Sequence, residues 1–346
     1  MVSVESTDLP ARAQGFESLL AEVEPARGGK VTTFRPISGG YSRETAMAEV
    51  TWNDASHEKF ILRCDPIGGE GVFQSDRDEE WDLLQALAKV DTFEIPQPRW
   101  YDATGEHFGS KVIVMEFCEG TPLQLTLAGK SDLRPETDVY LNVVAAFQRT
   151  PIDGLPAHLG KPESWDGHIE RAIEIYERAE RDIPDCSPVV RYACAWLRAN
   201  KPPAMPLGLV HGDMQPGNIL VAEGSTPIVI DWEFARIGDP REDVGYYSGS
   251  PLPNSLYEAD RTYFLERYRE VTGLTEDQVN EEILEYFFIL GMATLYAQMM
   301  EGAAAIARGD GGGVMNVFLI NSILYFQGRY LDICSSSRRG RKGGRS

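Results

Sequence analysis

Apolar positions change their spacing along this chain, and the change divides it into two predicted regions. Near the start, Phe16, Leu19, Leu20 and Val23 recur at helical spacing and stop before a Gly28-Gly29 turn. Short runs follow that predict strands over 31–36, 45–52, 59–64, 100–101 and 111–117. The polar stretch Asn53-Asp54-Ala55-Ser56 joins the second and third runs as a hairpin. Between the third and fourth, 76–90 is predicted helical, with Trp81, Leu84 and Leu87 or Ala88 on one face, and Ile95-Pro96-Gln97-Pro98 ends it. Residues 118–122 read as a connector. Beyond them the period is mostly helical: Val139, Val143, Val144 and Phe147 within 135–149, then Ile169, Ile173 and Tyr176 within 165–180. Ser187-Pro188 is a helix start. Thr275-Glu276-Asp277-Gln278 matches a capping box before an apolar helix from Ile283, and 314–330 predicts a last helix. The pattern is that of an α+β protein: a small sheet with one helix, then a larger helical region.

Composition narrows the class. A chain of 346 residues is long enough for two lobes with a sizeable core. Its net charge is -20, and five basic residues near the end (Arg338, Arg339, Arg341, Lys342 and Arg345) leave -25 on the rest. Such a body repels nucleic acid and anionic membranes, so neither is expected as a partner; a cationic substrate would be drawn to it. The polar, basic, Gly-rich segment from Ser335 onward is expected to be disordered. The cysteines Cys64, Cys118, Cys186, Cys194 and Cys334 form no Cys-x-x-Cys pair, which predicts reduced thiols and a cytoplasmic setting. No basic segment followed by an apolar core opens the chain. The longest apolar stretch, 286–297, is too short to cross a bilayer as one helix and predicts a buried helix.

The chemistry concentrates in His211-Gly212-Asp213-Met214-Gln215-Pro216-Gly217-Asn218 and Ile230-Asp231-Trp232-Glu233. Phosphoryl transfer needs a carboxylate that orients and deprotonates an attacking hydroxyl, and oxygen ligands that hold magnesium on the nucleotide phosphates. Asp213 fits the first role; Asn218 and Asp231 fit the second. Apolar runs flank both segments (Leu207, Leu209 and Val210; Ile219-Leu220-Val221; Ile228-Val229-Ile230), so the order is strand, polar loop, strand, turn, strand, acid. An isolated loop of this composition would be an ordinary turn. Gly212 is expected to allow a sharp turn that exposes Asp213. His211 is expected to hydrogen-bond backbone rather than shuttle protons. If the segment after Asp231 is extended, Glu233 shares its face and touches either a metal-bound water or a salt-bridge partner. Asp239 and Asp243 are expected to brace the segment that follows. His57, His107, His158 and His168 show no metal-ligand spacing and read as surface residues. Upstream, Gly39 and Gly40 in the turn 38–42 let backbone amides approach phosphates, with Ser38 and Ser42 adding hydroxyls. The Gly-x-Ser-x-Gly, Rossmann, Walker A and His-Glu-x-x-His motifs do not occur.

These segments resemble the aminoglycoside phosphotransferase and choline kinase superfamily, whose fold is similar to that of protein kinases. The resemblance covers about 30–300 and rests on Ser38-Gly39-Gly40-Tyr41-Ser42, Phe60-Ile61-Leu62-Arg63, Val114-Met115-Glu116-Phe117, the His211 to Asn218 loop, Ile230-Asp231-Trp232-Glu233-Phe234-Ala235 and Gly238-Asp239-Pro240. The last segments are similar to a bacterial branch that includes kinase-like domains fused to some acyl-CoA dehydrogenases. The resemblance implies a two-lobe, protein-kinase-like fold: an N-lobe over 1–119, a C-lobe over 120–334 and a tail over 335–346. It implies that Arg63 takes the place of the phosphate-binding lysine, paired with Glu80 rather than Glu79. It implies that backbone groups of Glu116, Phe117 and Cys118 bind the nucleotide base, where side chains do not distinguish ATP from GTP. Magnesium and ATP are the implied cofactors, and a small-molecule hydroxyl is the implied acceptor. That acceptor is a metabolite such as a hydroxyacyl thioester, or alternatively an aminoglycoside or other antibiotic. Arg63 in place of lysine supports one rival, a catalytically weak nucleotide-binding or scaffold protein. Tyr246, Tyr247, Trp165, Tyr296 and Met299 are candidates for the acceptor pocket, or else plain core.

Overall fold

The computed structural model describes residues 9–37, 44–65, 76–181, 188–307 and 314–342. The glycine turn, with Ser38, Gly39, Gly40 and Ser42, lies outside the described residues, as do Cys186 and Ser187. The chain forms two units. One holds Met1–Thr121, Gly154–His158 and Leu220–Glu233; the other holds Pro122–Asp153, Leu159–Ile219 and Phe234–Ser346.

The first unit opens with helix α1 (Leu9–Val23), followed by strands β1 (Gly29–Pro36), β2 (Glu44–Trp52) and β3 (His57–Cys64), helix α2 (Arg77–Leu87), and strands β4 (Pro98–Asp102) and β5 (Val112–Glu116). The strands make one antiparallel sheet in the order β1-β2-β3-β5-β4. Alternation decides its faces: Phe60, Leu62 and Cys64 of β3 point into the core, where Arg63 cannot. Phe16 of α1 meets Phe60 edge to face at 5.7 Å, and Leu19, Val50 and Trp52 complete that core. Helix α2 is capped by Asp76, whose side chain accepts the Asp78 N–H. It buries Arg77, Glu80, Leu83, Leu84 and Leu87. Trp81, expected on that face, instead stacks on Tyr101 at 5.4 Å.

Strand β6 (Thr121–Pro122) and helix α3 (Leu123–Thr126) follow, then α4 (Arg134–Gln148), α5 (Trp165–Arg181) and α6 (Pro188–Ala199). Strands β7 (Gly208–Val210), β8 (Ile219–Val221), β9 (Ile228–Val229) and β10 (Arg236–Gly238) come next. Because Leu220–Glu233 clusters with the first unit, Asp231 belongs to that unit while Asp213 and Asn218 belong to the second; a linear boundary at 119 does not capture this return. The rest is helical: α7 (Arg241–Gly249), α8 (Leu256–Ala259), α9 (Arg261–Thr272), α10 (Glu281–Gly291), α11 (Ala293–Ala307) and α12 (Val314–Lys342). Ile173, Tyr176, Leu197, Phe287, Tyr296 and Tyr330 are among the residues of one hydrophobic core there.

Three boundaries differ from the sequence reading. Half of the capping box forms: Gln278 Oε1 accepts the Thr275 N–H at 3.0 Å, while the Gln278 N–H donates to the Thr275 carbonyl rather than to its hydroxyl. That turn ends early, however, and Asn280 caps α10 by accepting the Ile283 N–H at 3.0 Å. The apolar stretch 286–297 is broken at Met292 into α10 and α11. Among the described residues no single helix is long and apolar enough to cross a membrane. Helix α12 continues past Ser335 to Lys342. Ser335 and Ser336 donate to the Asp332 carbonyl from within the helix, and Arg and Lys are good helix formers, so a polar composition does not end it.

Candidate functional site

Strand β7 is wholly buried and pairs antiparallel with β10, Leu209 opposite Ile237. It delivers the chain into the loop 211–218. Gly212 has φ +86, and a Cβ there would stand 2.3 Å from the Phe234 carbonyl oxygen, so only glycine fits. His211 is fully buried; its Nδ1 accepts the Asp213 N–H at 3.3 Å, and its ring lies against Phe147. The imidazole therefore holds backbone, as expected. A short turn, Pro216–Asn218, brings Asn218 back under Asp213. The Asn218 amide nitrogen donates to both the Asp213 carbonyl at 2.8 Å and its Oδ2 at 3.0 Å. Gln215 Nε2 donates to the same Oδ2 at 3.1 Å. Burial and the charge of the nearby Asp213 carboxylate push the phenol of Tyr246, on α7, well above its ordinary range. Below the loop, Tyr140 donates to the Met214 carbonyl at 3.0 Å.

The loop's main anchor is Asp243, on α7. Its Oδ2 accepts the His211 N–H at 2.9 Å and its Oδ1 the Gly212 N–H at 2.8 Å. Burial pushes this carboxyl up to about 6, although the two N–H groups and Arg236 oppose it. Asp243 thus braces the segment upstream of it rather than the one that follows. Its neighbour Glu242 accepts from Arg236 at 2.7 Å and lies 2.5 Å from His168 Nε2. Burial would raise Glu242, but His168 and Arg236 overcome it and hold the group at about 2. His168 is therefore a buried partner, not a surface residue. Asp239 accepts from Arg241 and from Trp165 Nε1, both at 2.7 Å. Of the pocket candidates, Tyr247, Tyr296 and Met299 are core, and Trp165 is tied to Asp239. Tyr246 is the candidate whose phenol is raised by the Asp213 charge.

In the first unit, Arg63 stands among three carboxylates. Its Nε is 3.0 Å from Glu80 Oε1, its first terminal nitrogen 2.8 Å from Asp231 Oδ1, and its second 3.8 Å from Glu233 Oε2. Burial works against the guanidinium's charge, but Glu80, Asp231 and Glu233 outweigh it and raise the group further. Glu80 is fixed in turn by Arg77, whose Nε pairs with Asp65 at 3.0 Å, whereas Glu79 is exposed. Strand β9 seats Asp231: the Val229 N–H donates to the Glu94 carbonyl at 2.8 Å, and Trp232 stacks on Phe93 at 5.2 Å. Asp231 itself has φ +69. The segment is therefore not extended there; a left-handed residue, a conformation Asp tolerates better than most, turns the chain. Asp231 and Glu233 still reach the same guanidinium, and Glu233 takes the salt-bridge alternative.

The base-binding strand shows which of its groups are already used. The Glu116 N–H donates to the Gln97 carbonyl at 2.9 Å, and the Phe117 N–H to the Lys59 carbonyl at 3.1 Å. Those two amides are thus committed within the first unit. Burial pushes the Cys118 thiol up to about 11. Cys64, Cys118, Cys194 and Cys334 are all free thiols. Among the described residues no three His, Cys, Asp or Glu side chains group to hold a metal. Magnesium does not require such a cage, since it binds through one or two protein oxygens plus phosphates and water. Asn218 suits it: with the amide nitrogen committed to Asp213, its oxygen is the atom left for a cation.

Comparison with known proteins agrees with this chemistry. Residues 33–281 match the sequence profile of the phosphotransferase enzyme family. Human acyl-CoA dehydrogenase family member 11 is 25% identical over 200 residues, covering 55% of this chain and 25% of that protein. The chain thus spans about a quarter of the length of the curated relatives it matches. Among solved structures, an aminoglycoside phosphotransferase-like protein of Ralstonia eutropha superposes with a TM-score of 0.67 at 18% identity, covering 93% of this chain and 98% of that one. A thermostable aminoglycoside phosphotransferase APH(4)-Ia with ADP and hygromycin B bound gives 0.62 at 17% identity, over 92% and 98%. These structures share the two-lobe α+β fold.

Proposed function

Because this chain belongs to the phosphotransferase enzyme family, we propose that it moves the γ-phosphoryl group of ATP to a hydroxyl of a small molecule, with magnesium. The observation that carries the proposal is the Asp213 carboxylate, held by Asn218 and Gln215 in a loop that Asp243 anchors. In this reading Asp213 orients the acceptor hydroxyl and takes its proton as the phosphorus–oxygen bond forms. Asn218, through its amide oxygen, and Asp231 are the ligands for magnesium, which when bound neutralises the phosphate oxygens. Arg63, steadied by Glu80, meets the phosphates with a cation that stays charged. The turn of Ser38, Gly39, Gly40 and Ser42 supplies amide and hydroxyl donors to the same phosphates. With the Glu116 and Phe117 amides taken, the base edge falls to the Glu116 carbonyl and the Cys118 amide.

The acceptor we favour is a hydroxylated metabolite, with a hydroxyacyl thioester foremost, because the curated relatives carry acyl-CoA dehydrogenase names. The hygromycin-bound structure motivates the aminoglycoside alternative. The cytoplasm is the compartment that free thiols suit. A panel of hydroxyacyl thioesters and aminoglycosides, incubated with labelled ATP and magnesium, separates the acceptors. Asp213→Ala should abolish transfer while its unfolding temperature stays within a few degrees of the parent. Turnover that survives this substitution removes the assignment.

A further inference from the structure

We propose that Gln215 is a positioning residue that fixes the orientation of the Asp213 carboxylate. This rests on the reading of Asp213 given above. Asp213 Oδ2 already accepts two amide donors, Gln215 Nε2 at 3.1 Å and Asn218 Nδ2 at 3.0 Å, which occupy its two in-plane lone-pair directions. Helix α7 grips the same loop through Asp243, which accepts the His211 and Gly212 amides. A carboxylate on a loop otherwise rotates about two side-chain bonds, and a hydroxyl aligned to only one rotamer loses the gain of a preset geometry. Gln215 also docks its own backbone, its N–H meeting the Asp213 carbonyl at 2.9 Å, so its side chain is set by the same turn.

The test uses the full chain with Gln215→Ala, alone and combined with Asp213→Asn. Rates are read as phosphate transfer to the best acceptor of the panel and as slow MgATP hydrolysis, in which water is the acceptor. MgATP affinity is read separately by calorimetry. The single variant should lower kcat by roughly tenfold while KM for ATP and the calorimetric affinity change less than about twofold. In the Asp213→Asn background it should not lower the residual rate further, because it acts through that carboxylate. Loss of MgATP affinity in step with kcat, an unchanged kcat, or an equal loss in the Asp213→Asn background would each overturn the proposal. An inactive parent chain with every acceptor and with water would remove the phosphotransferase reading itself, and this inference with it.

Discussion

Replacing Asp243 with asparagine separates the charge of the loop anchor from its shape. The carboxyl is pushed from 3.8 to about 6 in the fold, which means its charged form is disfavoured by about 3 kcal/mol relative to the unfolded chain. A group whose folded pKa lies above its unfolded one contributes fully below the lower value. That contribution is lost as pH rises through the upper one. The window is therefore pH 4 to 6, with wild type weakening as pH increases. Asparagine carries no such penalty. It can offer one oxygen to the His211 or Gly212 N–H but must turn an NH2 toward the other, which costs about 1–3 kcal/mol at a buried site. At pH 8 the two effects nearly cancel, and the variant should lie within about 2 kcal/mol of wild type. Lowering the pH to 4.5 should then shift the difference by about 2 kcal/mol in favour of wild type. Urea unfolding followed by tryptophan fluorescence across that range measures it, with the difference cancelling groups common to both proteins. A stability gap that does not vary with pH would refute the reasoning. Phosphotransfer by the variant should fall even at pH 8, because half the loop's anchor is gone.

Two further outcomes follow from the same frame. Gly212→Ala forces a left-handed side-chain residue and a Cβ onto the Phe234 carbonyl, so it should cost about 3 kcal/mol or more and lower the unfolding temperature by calorimetry. Glu242 is held at about 2, below its ordinary 4.5, so it contributes about 3 kcal/mol that is present above pH 4.5 and lost as pH falls through 2. Glu242→Gln should show that deficit at pH 7 by urea unfolding, and the deficit should shrink below pH 4; one that persists unchanged at pH 3 contradicts the ion-pair explanation.

How much was legible beforehand depended on the range of the interaction. The sheet and its hairpin were readable because side-chain alternation is local, whereas the pairing of Arg63 with Glu80 was reached through the family resemblance. The left-handed turn at Gly212 and the backbone-bound His211 were readable for the same reason, since backbone conformation and a bond two residues along are local, although the close approach of Phe234 to Gly212 is not. Buried His168 was missed because nothing near it in sequence shows Glu242 or Arg236. Tyr246 entered only as a pocket aromatic, with no local sign that the Asp213 charge would act on its phenol.

Sequence by itself therefore singled out the short segments 211–218 and 230–233 and the elements that carry them, because a motif's spacing fixes which groups one short loop can present. Only the tertiary structure decided what holds those groups still. The choice of Asp243 as anchor, the left-handed turn at Asp231 and the three carboxylates around Arg63 arise from segments distant along the chain. Buried polar atoms must find partners wherever packing puts them, and packing is a property of the whole fold.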